Sequence, residues 1–363
     1  MSVIKHDKKK ILITGGAGFI GSAMIRYLIK NTKNRVHNID ALTYSGNLNS
    51  LSEVSSSSRY QFSNINILDY SSILRILEEY KPEIIINFAA ESHVDKSIDA
   101  PSVFFETNVM GTLNLLKAVL NFYKKNYTDT SSSFKFHHIS TDEVFGDIHP
   151  DDEPVNETRS YNPSSPYAAS KASSDHIVRA FHRTYNLPIT ISNCSNNYGP
   201  FHFPEKLIPH IIISCLQVKQ LPIYGDGMQI RDWLHVDDHV EAIMKIIQDG
   251  KIGETYNIGG DNEKTNLYVV NRICEILDEK ILEKPEKIDS FKDLIYFSDD
   301  RPGHDKRYAI NSKKIQNDLS WKPLVDFDQG LINTIDWYMT NTDWWENILS
   351  GDYILKRQGN TKS

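Results

Sequence analysis

Short apolar runs alternate with stretches of helical periodicity over the first 195 residues of the chain. The apolar runs predict buried strands, and the amphipathic stretches between them predict helices. The predicted strands are 11–14, 35–40, 60–65, 83–88, 134–140 and 189–194, and the predicted helices are 19–30, 71–80, 102–123 and 166–185. Strands that alternate with helices in this way predict an α/β fold, with a doubly wound parallel sheet covered on both faces.

The pattern becomes less regular from residue 196 onward, where proline and glycine are denser and the predicted elements are shorter. A helix is predicted over 266–279 and a strand over 255–258. We therefore predict a first domain over 1–195, a smaller lobe mainly over 196–340, and a C-terminal tail over 341–363. Segments near 230–260 are expected to return to the first sheet, so the two domains are predicted to be partly interleaved.

Composition excludes several classes of function. The net charge of -7 provides no overall basic field, so nucleic acid is not an expected partner. The mean hydropathy is -0.42, and the N-terminal lysine-rich leader precedes only a short apolar run, so no membrane segment is expected. The three cysteines lack CxxC spacing, which argues against a disulfide framework or a structural zinc site. We expect a cytoplasmic protein.

A glycine-rich turn follows the first predicted strand, in residues 14–21, TGGAGFIG. Gly15, Gly18 and Gly21 would permit a tight turn and a close approach of a pyrophosphate to the start of the helix. Asp40 ends the second predicted strand, where a carboxylate can accept hydrogen bonds from an adenosine ribose and repel a 2′-phosphate. The first domain is therefore predicted to be a Rossmann-type domain that binds NAD rather than NADP.

The GxxGxxG spacing resembles that of the extended branch of the short-chain dehydrogenase/reductase superfamily. A Tyr-x-x-x-Lys pair typical of that superfamily is present at Tyr167 and Lys171. The two side chains are four residues apart in a predicted helix and therefore share one face. From this spacing we expect the ammonium group to lower the pKa of the phenol, so that Tyr167 can act as a base.

Five further blocks resemble the nucleotide-glucose 4,6-dehydratases, most closely the bacterial dTDP-glucose type. They are 88–97 (FAAESHVDKS), 141–146 (TDEVFG), 196–209 (NNYGPFHFPEKLIP), 224–238 (YGDGMQIRDWLHVDD) and 300–308 (DRPGHDKRY). The resemblance extends from Lys10 to about Trp321. It implies a lyase that converts dTDP-glucose to its 4-keto-6-deoxy product, in a biosynthetic route to deoxysugars such as rhamnose.

The resemblance also implies a set of catalytic residues. Dehydration across C5–C6 requires a transient ketone at C4, because an unactivated C5 proton is too weakly acidic for a carboxylate to remove. Tyr167 would take the proton of the 4-hydroxyl group, with Lys171 and Thr141 beside it. Glu143 would then remove the C5 proton while Asp142 protonates the departing C6 hydroxyl group, and one NAD would be reduced and reoxidised in each turnover.

Cofactor and substrate contacts are carried over in the same way. Beyond the residues already named, those implied for NAD are Phe19, Ile20, Asn66, Ile67, Ala89, Ala90 and Asn108. Besides Thr141, those implied for the nucleotide-sugar substrate are Ser92, His93, Asn197, Lys206, Leu207, Pro222, Tyr224, Arg231, Asn266, Arg301 and His304. Lys206, Arg231 and Arg301 would supply positive charge for the diphosphate, and Tyr224 is expected to stack near the base.

The chain departs from the family pattern at two positions. Asn66 stands where an aspartate usually contacts the adenine amino group, and it can still accept a hydrogen bond through its amide oxygen. Phe145 stands where the family usually has tyrosine, which removes a hydroxyl group near the active-site strand. No metal site is expected, because Asp237 or Asp238 in the cluster 235–239 is more simply explained as a helix N-cap.

Three alternatives to the dTDP-glucose reaction remain open from the residues alone. A uridine nucleotide differs from a thymidine nucleotide by one methyl group, so UDP-glucose is a possible substrate. A sugar-nucleotide 4-epimerase would use the same scaffold but would not need the adjacent Asp142 and Glu143. A non-catalytic NAD sensor would need neither that pair nor Tyr167 with Lys171.

Two further expectations concern surfaces of the molecule. Extended members of the superfamily commonly pair through helices that correspond to 102–123 and 166–185, so a homodimer is expected. The tail contains Trp344 and Trp345 outside the family blocks. The sequence does not indicate whether this aromatic patch covers an edge of the fold or a partner.

Overall fold

The structure of the chain is a computed structural model that describes residues 8–127, 134–284 and 288–351. The lysine-rich leader and the end of the predicted tail lie partly outside these ranges.

Seven parallel strands form the main sheet, in the order β10-β6-β5-β4-β1-β2-β3. With strands numbered along the chain, they are β1 (Lys10–Thr14), β2 (Arg35–Asp40), β3 (Tyr60–Asn64), β4 (Ile84–Asn87), β5 (Lys135–Thr141), β6 (Ile189–Cys194) and β10 (Thr255–Ile258). The strand order reverses between β1 and β4, which is the switch point where open α/β sheets bind ligands. The predicted doubly wound fold is confirmed.

Helices cover both faces of this sheet. Those in the first part of the chain are α1 (Phe19–Asn31), α2 (Ser52–Ser55), α3 (Tyr70–Tyr80), α4 (Val94–Asp99), α5 (Pro101–Phe104), α6 (Thr112–Asn126) and α7 (Pro166–Tyr185). Ile11 and Ile13 of β1 pack on one face with Leu28 of α1. Leu12 lies on the other face with Leu116 of α6 and Val178 of α7, as the two-residue period of a strand requires.

A second lobe has its own hydrophobic core and two small sheets, β11-β9-β7 and β12-β8. Its strands are β7 (Asn196–Tyr198), β8 (Leu221–Tyr224), β9 (Ile230–His235), β11 (Glu263–Thr265) and β12 (Ile295–Ser298). The remaining helices are α8 (Leu207–Leu216), α9 (Val236–Asp249), α10 (Asn266–Lys280), α11 (Lys313–Leu319), α12 (Phe327–Thr340) and α13 (Thr342–Leu349).

The chain crosses between the two lobes more than once. After β9 in the second lobe, Ile243 of α9 packs in the same core as α1. β10 then pairs in parallel with β6 at the edge of the main sheet. The smaller lobe is therefore interleaved with the first one.

Two local features differ from the sequence predictions. The predicted helix 102–123 is interrupted by a π-helical stretch, Phe105–Gly111, which places Asn108 against the loop after β4. The predicted aspartate N-cap of α9 is wrong, because His235 occupies the cap position and accepts from the backbone N–H of Asp237. Asp238 instead accepts from the backbone N–H groups of Leu324 and Val325.

Candidate active site

A deep pocket opens at the carboxyl ends of the central strands, above the glycine turn. Gly15 has a φ of +71°, and a Cβ there would lie 2.6 Å from the backbone nitrogen of Ala89. A Cβ at Gly21 would lie 2.3 Å from the carbonyl oxygen of Gly15, so only glycine allows α1 to start this close to β1. The turn leaves the first backbone amides of α1 facing a concave backbone surface, where phosphate groups bind in such folds.

Asp40 lies at the end of β2, next to the glycine turn. Its Oδ2 accepts from the backbone N–H of Ala17 at 2.8 Å, and its Oδ1 accepts from Leu42 at 2.8 Å. Burial raises the pKa of Asp40, while these two backbone hydrogen bonds oppose that shift. A carboxylate has lone pairs for further donors, so Asp40 can also accept from a ribose hydroxyl group.

The five predicted catalytic residues come together on one side of this pocket. Thr141 ends β5, and Asp142 and Glu143 begin the short 3-10 turn that follows it. Tyr167 and Lys171 lie one helical turn apart near the start of α7. Pro166 is the first residue of this helix, and Ser165 caps it. The two side chains share one face of α7, as their spacing predicts. This face lies toward the end of β5, where Lys171 contacts Ile139.

Asp142 and Glu143 have different electrostatic surroundings. Burial raises the pKa of Asp142 well above its ordinary value, and the carboxylates of Glu143 and Asp232 raise it further. Burial also raises the pKa of Glu143, but the charges of Arg301, Arg231 and Lys206 oppose the shift. Asp142 is therefore suited to carry a proton, and Glu143 is the more readily ionised of the two.

The expected lowering of the Tyr167 pKa is wrong for the protein by itself. Burial raises the pKa of Tyr167 well above its ordinary value, and the charge of Glu143 raises it further, whereas a hydrogen bond with Thr141 opposes the shift. Lys171 donates from Nζ to the carbonyl oxygen of Ile139 at 2.7 Å. Burial and the neighbouring carboxylate thus outweigh the effect expected from the helical spacing of Tyr167 and Lys171.

Most of the predicted cofactor residues line the pocket, and Asn108 is the exception. The lining includes Gly15, Gly18, Phe19, Ile20, Gly21, Asp40, Asn66, Ile67, Ala89, Ala90, Tyr167 and Lys171. Asn108 lies behind the wall, because its side chain bonds both backbone groups of Glu91 and the hydroxyl group of Ser170. It orients the loop after β4 instead. Asn66 faces the pocket, with its Oδ1 accepting from the backbone N–H of Leu68.

The predicted substrate residues form two groups. Those that line the pocket are Ser92, Thr141, Asn197, Lys206 and Leu207. The others lie beyond its walls, and they are His93, Pro222, Tyr224, Arg231, Asn266, Arg301 and His304. The positive charges of Arg231 and Arg301 nevertheless oppose the rise in the pKa of Glu143, which is one of the predicted catalytic residues.

Tyr224 and His304 lie close to each other, and each is hydrogen-bonded to an aspartate. The Tyr224 hydroxyl group donates to Oδ2 of Asp95 at 3.0 Å, and its ring lies edge-on to the ring of His304. His304 in turn bonds Oδ1 of Asp300 at 2.6 Å through Nδ1. Asn266 begins α10 and donates its backbone N–H to Gln229.

Comparisons with known proteins identify this arrangement. A model of the GDP-mannose 4,6 dehydratase family matches residues 12–334. The dTDP-glucose 4,6-dehydratase of Neisseria meningitidis serogroup B is 53% identical over 354 residues, which cover 98% of this chain and 100% of the relative. This chain belongs to the dTDP-glucose 4,6-dehydratase family.

Solved structures show how far the scaffold of this dehydratase family is shared. The dTDP-glucose 4,6-dehydratase of Streptomyces venezuelae, with NAD and thymidine diphosphate (TYD) bound, matches with a TM-score of 0.84 at 40% identity, over 93% of this chain and 99% of that chain. A UDP-glucose 4-epimerase of Thermotoga maritima, with UDP-glucose, matches with a TM-score of 0.79 at 27% identity, over 92% and 99%. The fold alone does not distinguish a dehydratase from an epimerase, so the two activities must be distinguished by the residues of the site.

Three polar residues around the site of this dehydratase-family chain were not predicted from the sequence to have a role there. The Tyr308 hydroxyl group donates to Oδ2 of Asp305 at 2.7 Å and lies 3.5 Å from Oε2 of Glu143. Asp95 accepts from Tyr224 and, through Oδ1, from Nη1 of Arg301 at 3.2 Å. Tyr308 and Asp95 lie inside the family blocks, so the motif already contained the signal for them.

Glu205 is the third of these residues, and it joins the two lobes at the pocket rim. Its Oε1 accepts from the Tyr44 hydroxyl group at 2.8 Å, and its Oε2 lies 3.4 Å from Nζ of Lys96. Lys206, the next residue, donates from Nζ to the carbonyl oxygen of Ser92 at 3.0 Å. These contacts connect the loops after β2 and β4 to the second lobe.

Among the residues that the structure describes, none of the helices combines the length and apolar character needed to cross a bilayer. Within residues 8–127, 134–284 and 288–351, no three His, Cys, Asp or Glu side chains form a group that could hold a metal ion. In the cluster 235–239, Nδ1 of His239 is hydrogen-bonded to Oδ1 of Asn197.

Proposed function

We propose that this chain is an NAD-dependent dTDP-glucose 4,6-dehydratase that converts dTDP-glucose to dTDP-4-keto-6-deoxyglucose. The observation that carries the proposal is the placement of Asp142 and Glu143 at the end of β5, beside Tyr167 and Lys171 in one pocket. An epimerase needs the groups that oxidise C4 but has no step that requires this second acid–base pair. The identity to dehydratases over nearly the whole chain supports the same conclusion.

The pocket fits a dinucleotide. Gly15 and Gly21 leave a backbone cradle at the start of α1, and Asp40 presents a carboxylate at the end of the next strand. When bound, NAD supplies a hydride acceptor at C4, the reduced form that later returns the hydride to C6, and the positive charge of its oxidised ring. That carboxylate would accept from the adenosine ribose and disfavour a 2′-phosphate.

The residues of the chain would handle the protons of the reaction. Tyr167 takes the proton of the 4-hydroxyl group at its phenol oxygen, while Thr141 holds the same sugar oxygen through its hydroxyl group. Lys171 would favour the phenolate form of Tyr167, which accepts this proton and becomes a neutral phenol. Loss of this proton, together with transfer of the C4 hydride to the acceptor that bound NAD would supply, would make C4 a ketone and thereby acidify the C5 proton.

Glu143 and Asp142 would then carry out the elimination. Glu143 takes the C5 proton at a carboxylate oxygen as the C5–C6 double bond forms. Asp142 gives its proton to the C6 hydroxyl group, which leaves as water. The raised pKa of Asp142 favours its protonated form, and the cations around Glu143 favour the ionised form of that residue.

The positive charges of the second lobe would hold the substrate diphosphate. Lys206 lines the pocket, and Arg231 is buried with its guanidinium group 4.2 Å from the centre of the Tyr308 ring. Arg301 is bridged to Asp95, which places it between the lobes. The choice of thymine over uracil depends on one methyl group, which a pocket discriminates by about 1–3 kcal/mol.

We infer that the protein is a cytoplasmic homodimer that pairs through the helices around α6 and α7. Val103, Phe105 and Met110 are exposed apolar residues on the stretch that leads into α6, and Tyr185 is exposed at the end of α7. Apolar side chains grouped on one surface favour a protein partner.

Glu143→Gln tests the proposed reaction. The variant keeps Tyr167 and Lys171, so dTDP-glucose should still reduce bound NAD, and the absorbance of NADH should accumulate on the enzyme. Formation of the 4-keto-6-deoxy product should fall by about 10²–10⁴-fold, the contribution of a positioned base. Tyr167→Phe is the control, because it should lose oxidation and elimination together.

The same assay separates the alternatives. A galactose isomer from the wild-type enzyme would identify an epimerase, and no turnover with bound NAD would identify a sensor. A higher kcat/KM for UDP-glucose than for dTDP-glucose would overturn the nucleotide assignment and leave the reaction intact. Wild-type dehydration by Glu143→Gln would contradict the acid–base assignment.

A further inference from the structure

The C-terminal helix α13 returns across the molecule to the cofactor pocket. Trp344 is 8% exposed and lines that pocket. Its indole Nε1 donates to the hydroxyl oxygen of Ser50, which is 294 positions away in the sequence, at 3.2 Å. The predicted tail is therefore part of the wall of the candidate active site.

Ser50 belongs to a loop that lies over the glycine turn. In this loop, the backbone N–H of Asn47 donates to the carbonyl oxygen of Ala17 at 2.9 Å, and Ser50 donates to Asn47 at 3.1 Å. Gly46 approaches Asp40 so closely that a Cβ there would lie 3.1 Å from the carboxylate. This loop, which we define as residues 43–50, forms the wall of the pocket next to Asp40.

A second loop, residues 199–206, forms the adjoining wall, and Glu205 in it accepts from the hydroxyl group of Tyr44 in the first loop. Phe201 has a φ of +67°, which is costly for a residue with a side chain, so its neighbours must hold it in place. Its ring centre lies 4.4 Å from that of Trp337 and 5.7 Å from that of Trp344, and the guanidinium group of Arg26 lies 4.1 Å above it.

The second loop reaches the start of α1 through the residue after Phe201. The ring of His202 stacks on that of Phe19 at 4.1 Å between centres, and its carbonyl oxygen accepts from the Tyr338 hydroxyl group. Phe19, Phe201 and His202 all line the pocket. The 199–206 loop is thus held between the C-terminal helices and the glycine turn.

Trp344 contacts both loops, and Arg26 supports them from the same side by donating to the carbonyl oxygen of Ser50 at 2.7 Å. We propose that Trp344 is a positioning residue that joins the 43–50 and 199–206 loops across the cofactor pocket and thereby slows the release of NAD. The proposal rests on the proposed function, since it assumes that NAD occupies this pocket. It also assigns a role to the aromatic tail, which the sequence left open.

The neighbouring Trp345 provides a matched control. It is buried on the same helix and donates from Nε1 to the carbonyl oxygen of Tyr338 at 3.0 Å. It does not border the pocket, whose lining includes Trp344 alone of the two. A role in folding of α13 predicts equal effects at both tryptophans, whereas a role in holding the two loops predicts an effect at Trp344 only.

The test measures how fast NAD leaves the purified, NAD-loaded protein. Loaded protein is mixed with a large excess of labelled NAD, and the unlabelled NAD that remains bound is quantified after rapid desalting at successive times. Trp344→Phe and Ser50→Ala each remove one end of the same hydrogen bond, so each should release NAD about 3- to 10-fold faster than the wild type. The double variant should be no faster than either single variant, because the same bond is lost.

Trp345→Phe should release NAD at a rate within about twofold of the wild-type rate. In Trp344→Phe, the NAD concentration for half-maximal activity should rise by a larger factor than the factor by which kcat falls. Wild-type release rates in both Trp344→Phe and Ser50→Ala would overturn the role of Trp344. Equal acceleration by Trp345→Phe would also overturn it, since the effect would then belong to the helix as a whole. Wild-type protein that binds no NAD would instead contradict the proposed function itself.

Discussion

Asp142 and Glu143 are adjacent in the chain, but their surroundings separate their chemistry. Oδ2 of Asp142 is buried and makes no hydrogen bond within the described part of the chain, and it faces the carboxylates of Glu143 and Asp232. Glu143 faces three cationic side chains. A pair of carboxyl groups whose pKa values are driven apart can serve as acid and base in one turnover.

The raised pKa of Asp142 predicts a pH-dependent cost to stability. Its stabilising contribution is complete below the ordinary carboxyl pKa near 3.8 and is lost as the pH rises through the higher pKa of the folded state. The Asp142→Asn variant has no carboxyl group at this position, so its stability does not fall with rising pH for this reason. The free energy of unfolding of the variant, relative to the wild type, should therefore grow by about 1.4 kcal/mol per pH unit between the two pKa values.

Denaturant unfolding at a series of pH values, with the NAD concentration held constant, measures this difference. The exposed Asp249 is the control site, where the same substitution should give a difference that does not grow with pH. A pH-independent difference for Asp142→Asn would contradict the assignment of Asp142 as the proton-carrying acid.

At the residue scale, Asp40 is the residue proposed to favour NAD over NADP. Asp40→Asn keeps an acceptor for only one of the backbone N–H groups of Ala17 and Leu42, and it removes the negative charge that would disfavour a 2′-phosphate. The ratio of NAD to NADP affinity should fall by at least about tenfold, since hydrogen bonds to charged groups contribute about 1.5–3 kcal/mol. Calorimetric titration with both dinucleotides measures the ratio, and an unchanged ratio would show that Asp40 does not face the ribose.

At the scale of elements, α7 is fixed to the sheet by a buried polar network one turn beyond Lys171. Oδ2 of Asp175 accepts from the hydroxyl groups of Ser140 at 2.8 Å and Tyr161 at 2.9 Å. Its Oδ1 lies 3.4 Å from Nε2 of His138 on β5. Asp175 thus joins α7, which carries Tyr167 and Lys171, to β5, the strand that leads directly into Asp142 and Glu143.

Asp175→Ala should lower the free energy of unfolding by about 3–5 kcal/mol, because it leaves buried partners of a charged group without their acceptor. Asp175→Asn should cost less, since the amide oxygen still accepts from Ser140 or Tyr161. Denaturant unfolding measures both variants against Asp151→Ala, whose side chain is 91% exposed and should change stability by less than about 0.5 kcal/mol. Equal effects at Asp175 and Asp151 would show that the network does not stabilise the fold.

At the scale of the whole molecule, the exposed apolar residues before α6 predict how two copies associate. Met110 is 51% exposed, and Met110→Asp would bury a charge in the proposed dimer interface. Light scattering should show the dimer for the wild type and a shift to monomer for the variant. Met228→Asp, at a methionine that is 54% exposed on the second lobe, should remain dimeric. A wild-type protein that is monomeric at working concentration would contradict the interface.

The interleaved lobes also explain why the site is built from distant segments. Helix α4, which follows β4, provides Asp95, and this residue bonds Tyr224 and Arg301 of the second lobe. Asp95 of the first lobe therefore helps to position Arg301 of the second lobe. Each lobe has its own core, but the pocket exists only where the two meet.

The sequence by itself determined the main elements and the residues at their ends. Helix Pro166–Tyr185 and strand Ile189–Cys194 have the predicted bounds, because periodicity and capping residues act between near neighbours in the chain. The glycine turn, Asp40 and the end of β5 follow from the same local rules, and the parallel sheet brings them to one edge.

Only the tertiary structure decided the contacts between remote segments and the effects of burial. The approach of Trp344 to Ser50 and the position of Tyr308 near Glu143 depend on how whole lobes pack. The raised pKa of Tyr167 is another such effect, since desolvation depends on all the groups that exclude water from the phenol. Local patterns describe neighbours in the chain, whereas burial and long-range contacts arise when distant parts of the chain pack together.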